Sequence, residues 1–191
     1  MRVIETTRLI LRAFRESDAQ DVYEYRREPL VNCFDCMRLN SPQAAREEIV
    51  KRSDESEFRF AIVLKDSGKV IGEIEAHPES SLPDMVEAPR DTFSPCWMLN
   101  KDYHGKGYAF EAARAFYDYL FYEKGARRIY AYTEDYNLPS QHLCEKLGMR
   151  REGLFVEFVS FVKDPDGTPH YENTMQYAIL KKEWDAHREK L

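Results

Sequence analysis

Apolar and polar positions alternate from the start of the chain. Over residues 7–14, Leu9, Leu11 and Ala13 are set against Arg8, Ile10 and Arg12, the period of a half-buried strand. Ser17 and Gln20 then form a capping box for a helix through about residue 27, stopped by Pro29. Ser41-Pro42 opens a second helix, with Ser as N-cap and Pro in the first turn, running to about residue 53. Residues 59–65 and 70–76 are strand-like, and Asp66-Ser67-Gly68-Lys69 joins them as a hairpin. Residues 79–91, rich in Pro, Ser and acids, form a surface connection long enough to act as a flap over a substrate.

The second half follows the same logic. Residues 93–99 form a strand that contains Pro95, which cannot donate a ladder bond, so a bulge or an edge is expected there. Residues 108–124 carry Ala109, Ala112, Ala113, Phe116 and Leu120 on one helical stripe, with Gly125 as the residue after the helix. A strand over 128–134 follows. Asn137 then caps a short helix with Leu143 and Leu147 inward, stopped by Gly148. Residues 149–162 and 171–180 are two long strands joined by the turn Asp164-Pro165-Asp166-Gly167, and a helical tail starts at Glu183. Phe155, Phe158 and Phe161 lie at spacing three, which mixes the faces of a strand, and are assigned to core and edge packing. The strand–helix–strand unit over 93–134 demands parallel pairing, and the hairpins demand antiparallel pairing. The expected fold is a mixed α/β (α+β) domain.

Composition narrows the class. A chain of 191 residues, 43% apolar and 32% charged, is long enough for one globular domain spanning residues 1–191. No apolar run reaches the length of a membrane span, and the N-terminus lacks a signal-peptide pattern, so a cytoplasmic protein is expected. The formal charge of −6 disfavours nucleic acid as a partner. Cys33, Cys36, Cys96 and Cys144 are scattered as reduced thiols. Cys33 and Cys36 lack a second Cys/His pair at finger-like spacing, so no metal site is expected.

The candidate chemistry lies between the 93–99 strand and the helix that follows. Leu99 to Ala109 places a tight loop with Gly105 and Gly107 at a helix start, where backbone N–H groups and the helix dipole favour phosphate. A dinucleotide fingerprint needs a third glycine where Phe110 stands, and a P-loop needs Ser or Thr where Gly107 stands. What remains is a metal-free pyrophosphate cradle built from the amides of residues 103–109.

This loop resembles the acetyl-coenzyme A loop of the GNAT acetyltransferase superfamily, whose pattern falls on His104, Gly105, Lys106, Gly107, Tyr108 and Ala109. Asn137-Leu138-Pro139-Ser140 followed by Glu145-Lys146-Leu147-Gly148-Met149 is similar to the second motif of that family. Glu5 to Arg12 resembles the opening of the RimJ/RimL-type subgroup, which acetylates ribosomal protein N-termini. His104 departs from the pattern, which has Gln or Arg there, and Cys144 stands where many members carry a Tyr acid.

The resemblance implies a mostly antiparallel sheet of about seven strands with helices on both faces. It also implies a central splay between strands 93–99 and 128–134. By the same resemblance, acetyl-CoA is the co-substrate and an amine is the acceptor, with Met98, Leu99, the 104–109 loop, Asn137 and Ser140 contacting the coenzyme. Ser140 is the remaining candidate to protonate the leaving thiolate. Glu73 and Glu75, at i and i+2 on one strand face, are candidates for the base. Each has a plainer role: Asn137 and Ser140 as capping residues, Cys144 as a small buried residue, the two acids as solvent-facing strand residues, and His77 as a strand-end alternative. A non-catalytic acyl-CoA-binding module on the same fold is the alternative function, and a monomer or homodimer both fit.

Overall fold

The computed structural model describes residues 2–80 and 89–188, so most of the expected 79–91 flap, residues 81–88, lies outside the described residues. Contacts divide the chain into two compact units: Met1–Glu75 with Cys96–Phe116, and Ala76–Pro95 with Tyr117–Leu191.

The first unit holds strands β1 (Ile4–Glu5), β2 (Leu9–Arg12) and β3 (Arg59–Leu64), most of β4 (Val70–Glu79), and helices α1 (Ala19–Arg26) and α2 (Pro42–Lys51). Successive strands pair antiparallel, Ile4 opposite Leu11, Leu9 opposite Leu64 and Arg59 opposite Glu75. Every residue of β3 is buried, because both faces of the sheet are covered here. Ala61 and Val63 face Ala19, Val22 and Tyr25 of α1 and Ala45 and Ile49 of α2. Phe60 points the other way and meets Phe116 edge to face, 5.7 Å between ring centres. Ser41 caps α2 as expected, its hydroxyl accepting from the Ala44 N–H. The expected Ser17 cap is not used. A 3-10 turn over Glu16–Asp18 precedes α1, and the Asp18 carboxylate accepts the Arg15 N–H while also pairing with Arg12. An acid that meets a cation and a backbone donor at once outcompetes a hydroxyl.

The second unit holds β6 (Arg128–Glu134), α4 (Leu138–Lys146), β7 (Arg150–Lys163), β8 (Pro169–Leu180) and α5 (Lys181–Arg188). β8 lies antiparallel between β6 and β7. β5 (Thr92–Leu99) and α3 (Tyr108–Asp118) each have residues in both units. β5 runs parallel to β6, and among the described residues that ladder is confined to Thr92–Arg128 and Phe93–Ile129, ending before Pro95. Eight strands follow the order β1-β2-β3-β4-β5-β6-β8-β7. The strand beyond the seven expected is β1, two residues long.

Three expectations need correction. The helix begun by α3 does not stay α-helical to Lys124: residues 119–123 form a π-turn in which the Lys124 N–H reaches the Tyr119 carbonyl. The wider turn buries Tyr119, Leu120 and Phe121 in succession, with Phe121 stacked on Trp184 of α5. β4 continues through His77 and Pro78 to Glu79, so His77 is not at its end. Finally, Phe155, Phe158 and Phe161 are not core residues. They are exposed on β7, at the end of the strand order. Between Phe155 and Val159 the register with β8 slips, four steps on β7 matching two from Thr174 to Glu172. Glu157 adopts a φ of 49° in this bulge, and its N–H donates to the Asn173 side chain. The bulge cancels the expected alternation. Phe155 and Phe158 come together, ring centres 5.0 Å apart, and both meet Tyr132.

Candidate active site

The glycine loop is held at both ends. Asn100 ends β5 by donating its N–H to the Ile71 carbonyl, and its side chain accepts from the Asp102 N–H to start a 3-10 turn. Gly105 and Gly107 then take φ values of 72° and 81°, the left-handed region in which a Cβ is strained. Alternating the hand of the backbone gathers successive N–H groups on one side. α3 begins at Tyr108, and its first helical bond runs from the Glu111 N–H to the Gly107 carbonyl. The N–H groups of the turn before that bond face out along the helix axis. Gly72 on β4 has backbone where a Cβ would sit: the Met98 carbonyl and Leu99 Cα fill that space, so β4 and β5 approach closely there.

Two side chains of the loop are turned inward. The His104 ring nitrogen Nε2 lies 2.9 Å from the Leu99 carbonyl. A carbonyl only accepts, so Nε2 carries a proton and is the ring nitrogen committed to the chain itself. Lys106 donates to the Asp102 carbonyl and lies over the Tyr103 ring.

Sequence reading missed Arg8 at this place. The Glu111 carboxylate accepts from the Thr6 hydroxyl, the Arg8 N–H and Arg8 Nε. Arg8 Nη1 donates to the Lys106 carbonyl at 3.0 Å, and its guanidinium lies over the Tyr108 ring. Burial alone would raise the Glu111 pKa, but Thr6 and Arg8 together hold it below the ordinary value. The clue was an acid four residues after Gly107, in the first turn of the helix, which needs a cation if an anion is to bind nearby.

Glu73 and Glu75 share a face of β4, as the spacing predicts, yet neither faces solvent: they are 3% and 7% exposed. Arg26 grips Glu73 Oε1, and Arg59 Nη2 lies 3.3 Å from Oε2. Glu75 Oε2 accepts from Arg52 Nη2 at 2.7 Å and lies 3.4 Å from Arg59 Nε, an ion pair without a hydrogen bond. Burial would lower the Arg26 pKa, but Glu73 beside it more than offsets this and holds it above the ordinary value. The sign of these partners was legible in part: Arg26 stands seven residues after Ala19, on the stripe that buries Val22. Tyr25 lies in the same cluster, its hydroxyl buried with no hydrogen-bond partner among the described residues. Its pKa is well above the ordinary value, through burial first and then the Glu73 charge. Cys96 on β5 is pushed up by burial and by Glu75 and Glu73, so its thiol stays protonated.

In the second unit, Asn137 caps α4 as expected. Its side-chain carbonyl accepts from the Ser140 N–H at 3.3 Å, and its amide nitrogen donates to Glu134. Ser140 sits in that first turn, partly buried. Cys144 is fully buried, its thiol pushed up to about 12 by burial and by Glu145, as a structural cysteine should be. Met98, Leu99 and the 104–109 loop are thus brought together with Glu73 and Glu75 in one unit, and Asn137 with Ser140 in the other.

An eight-stranded, mostly antiparallel sheet, a β5–β6 ladder of two registers and a glycine loop at a helix start define a class. Comparison with known proteins gives the same class. The family model described as an acetyltransferase (GNAT) domain matches residues 8–150. The chain is similar to the uncharacterized N-acetyltransferase YnaD of Bacillus subtilis (strain 168), 32% identical over 182 residues, 95% of this chain and 99% of that protein. A GNAT-family acetyltransferase structure from Bacillus anthracis superposes with a TM-score of 0.77 at 29% identity, covering 95% of this chain and 99% of that one. A ribosomal-protein-S5-alanine acetyltransferase from Vibrio fischeri shares the fold, with a TM-score of 0.71 at 18% identity, covering 96% of this chain and 99% of that one. The chain belongs to the GNAT acetyltransferase family and is an N-acetyltransferase. No helix is long and apolar enough to cross a membrane, and no cluster of metal-ligating side chains occurs among the described residues.

Proposed function

We propose that this enzyme uses acetyl-CoA and moves the acetyl group directly to a primary amine, at a protein N-terminus or on a small molecule. The observation that carries the reading is the loop from His104 to Ala109, with left-handed Gly105 and Gly107 at the start of α3. Its N–H groups bind the pyrophosphate, and Met98, Leu99 and Asn137 hold the pantetheine arm. The amine nitrogen attacks the thioester carbonyl, and a backbone N–H of β5 beyond Pro95 stabilises the oxyanion. The C–S bond then breaks; the Ser140 hydroxyl donates a hydrogen bond to the leaving thiolate, which takes its proton from water. Glu73 or Glu75 receives the proton of the amine through water. The Glu5–Arg12 opening supports a RimJ/RimL-like protein acting on a peptide N-terminus, and we place it in the cytoplasm, as monomer or homodimer, without nucleic acid.

Calorimetry with acetyl-CoA tests the site. Wild-type protein binds it, and Gly107→Trp, which fills the loop, abolishes binding; equal affinities rule the loop out. Thiol release across an amine panel then identifies the acceptor. A protein that binds acetyl-CoA but releases no thiol with any amine is a binding module instead.

A further inference from the structure

The family pattern puts a Gln or Arg donor where this chain has His104, and His104 turns its Nε2–H onto the Leu99 carbonyl. Lys106 is committed to the Asp102 carbonyl and the Tyr103 ring. The loop therefore needs a donor from elsewhere. Arg8 stands against it. Three contacts fix its guanidinium: Nε on Glu111, Nη1 on the Lys106 carbonyl and the flat face on Tyr108. Nη2 remains, with no hydrogen-bond partner among the described residues, 3.4 Å from where a Cβ of Gly107 would sit. The missing side chain of Gly107 is the opening through which a ligand approaches the backbone, and Nη2 lines it.

Charge supports the same assignment. Glu111 puts a carboxylate in the first turn of α3, where a second anion would be repelled. Arg8 neutralises it and still presents its Nη2 N–H groups, charge-assisted donors that suit a phosphate oxygen. We infer that Arg8 is a binding residue for the coenzyme pyrophosphate, supplying from the β2 end of the fold the donor that position 104 has lost. This rests on the loop being the acetyl-CoA site.

The test is calorimetry on the full chain with acetyl-CoA, dephospho-CoA (which keeps the pyrophosphate but lacks the 3′-phosphate) and pantetheine. Arg8→Gln weakens acetyl-CoA and dephospho-CoA by about ten- to a hundredfold and leaves pantetheine unchanged. Arg8→Lys, which keeps the charge, recovers part of the loss. On wild-type protein, acetyl-CoA shields Arg8 from phenylglyoxal, read by peptide mass mapping, and pantetheine does not. Unchanged acetyl-CoA affinity in Arg8→Gln overturns the inference. So does an equal loss for pantetheine, which marks a merely structural role, and so does a loss confined to acetyl-CoA, which marks the 3′-phosphate. Unshielded reaction at Arg8 in saturating acetyl-CoA also overturns it. If wild-type protein binds no acetyl-CoA, the site reading itself fails and this inference with it.

Discussion

The two units place their unusual side chains in opposite ways. The first buries charge: Arg26, Arg59, Glu73 and Glu75 lie beneath its surface, tied to one another. The second exposes aromatics: Phe155, Phe158, Phe161 and Tyr171 stand open on the hairpin of β7 and β8, with Val156 70% exposed. The contrast teaches what each feature can contribute. A buried charge cluster is held together by its own pairing, since losing one member leaves the others desolvated and uncompensated. An exposed aromatic stack contributes little to the fold, and its cost is the open apolar surface.

The largest expected effect breaks the buried cluster. Glu73→Ala removes the hydrogen-bonded partner of Arg26, which is 1% exposed, and leaves the guanidinium only Glu48 Oε1 at 3.9 Å. Denaturant unfolding should show a loss of about 3–5 kcal/mol. Replacing both, Arg26→Met with Glu73→Leu, should restore most of it, because the desolvation cost then disappears as well. A single variant within about 1 kcal/mol of wild type would mean that the cluster relaxes to water, and the contrast between the units would lose its physical basis.

A middle case lies between buried and exposed. Glu111 is partly buried and accepts three hydrogen bonds from Thr6 and Arg8. Glu111→Gln should cost about 1.5–3 kcal/mol, the range for bonds to a charged group. The pH sign follows from its lowered pKa. The contribution is complete above the unfolded glutamate value, about 4.3, and is lost as pH falls through the lower folded value. Unfolding curves of wild type and Glu111→Gln should therefore converge below that range. If their difference stays constant down to acid pH, the carboxylate charge is not what holds Arg8.

The elements set by local chemistry were legible in the sequence: the Ser41 and Asn137 caps, the hairpin turn before β4, the glycine loop and the stripe of α3. The features that escaped it depend on residues far apart. Period-two alternation put Glu73 and Glu75 on one face but could not show that Arg26, 47 positions earlier, covers that face. Asp18 displaced Ser17 because Arg12 completes its shell. The bulge after Phe155 needs Asn173 from the neighbouring strand to satisfy the Glu157 N–H, so spacing along β7 alone could not show that Phe155 and Phe158 come together. At the site, the loop could be read from its glycines, whereas Arg8 becomes a loop residue only once β2 and α3 are folded together.

The smallest expected effect comes from the exposed face. Phe158 is 51% exposed and touches Tyr132 and Phe155 at ring distances of 5.9 and 5.0 Å. Phe158→Ser removes one ring from that stack without opening a cavity in a core, so unfolding stability should stay within about 0.5 kcal/mol of wild type. The same change removes apolar surface, so the variant should bind less of a hydrophobic dye such as ANS and tolerate higher concentration. Stability and surface exposure should thus move independently here, whereas at Glu73 they cannot. A loss above about 1 kcal/mol in Phe158→Ser would show that the aromatic stack holds the bulge of β7 in place, and the second unit would then rest on its open face as much as the first rests on its buried charges.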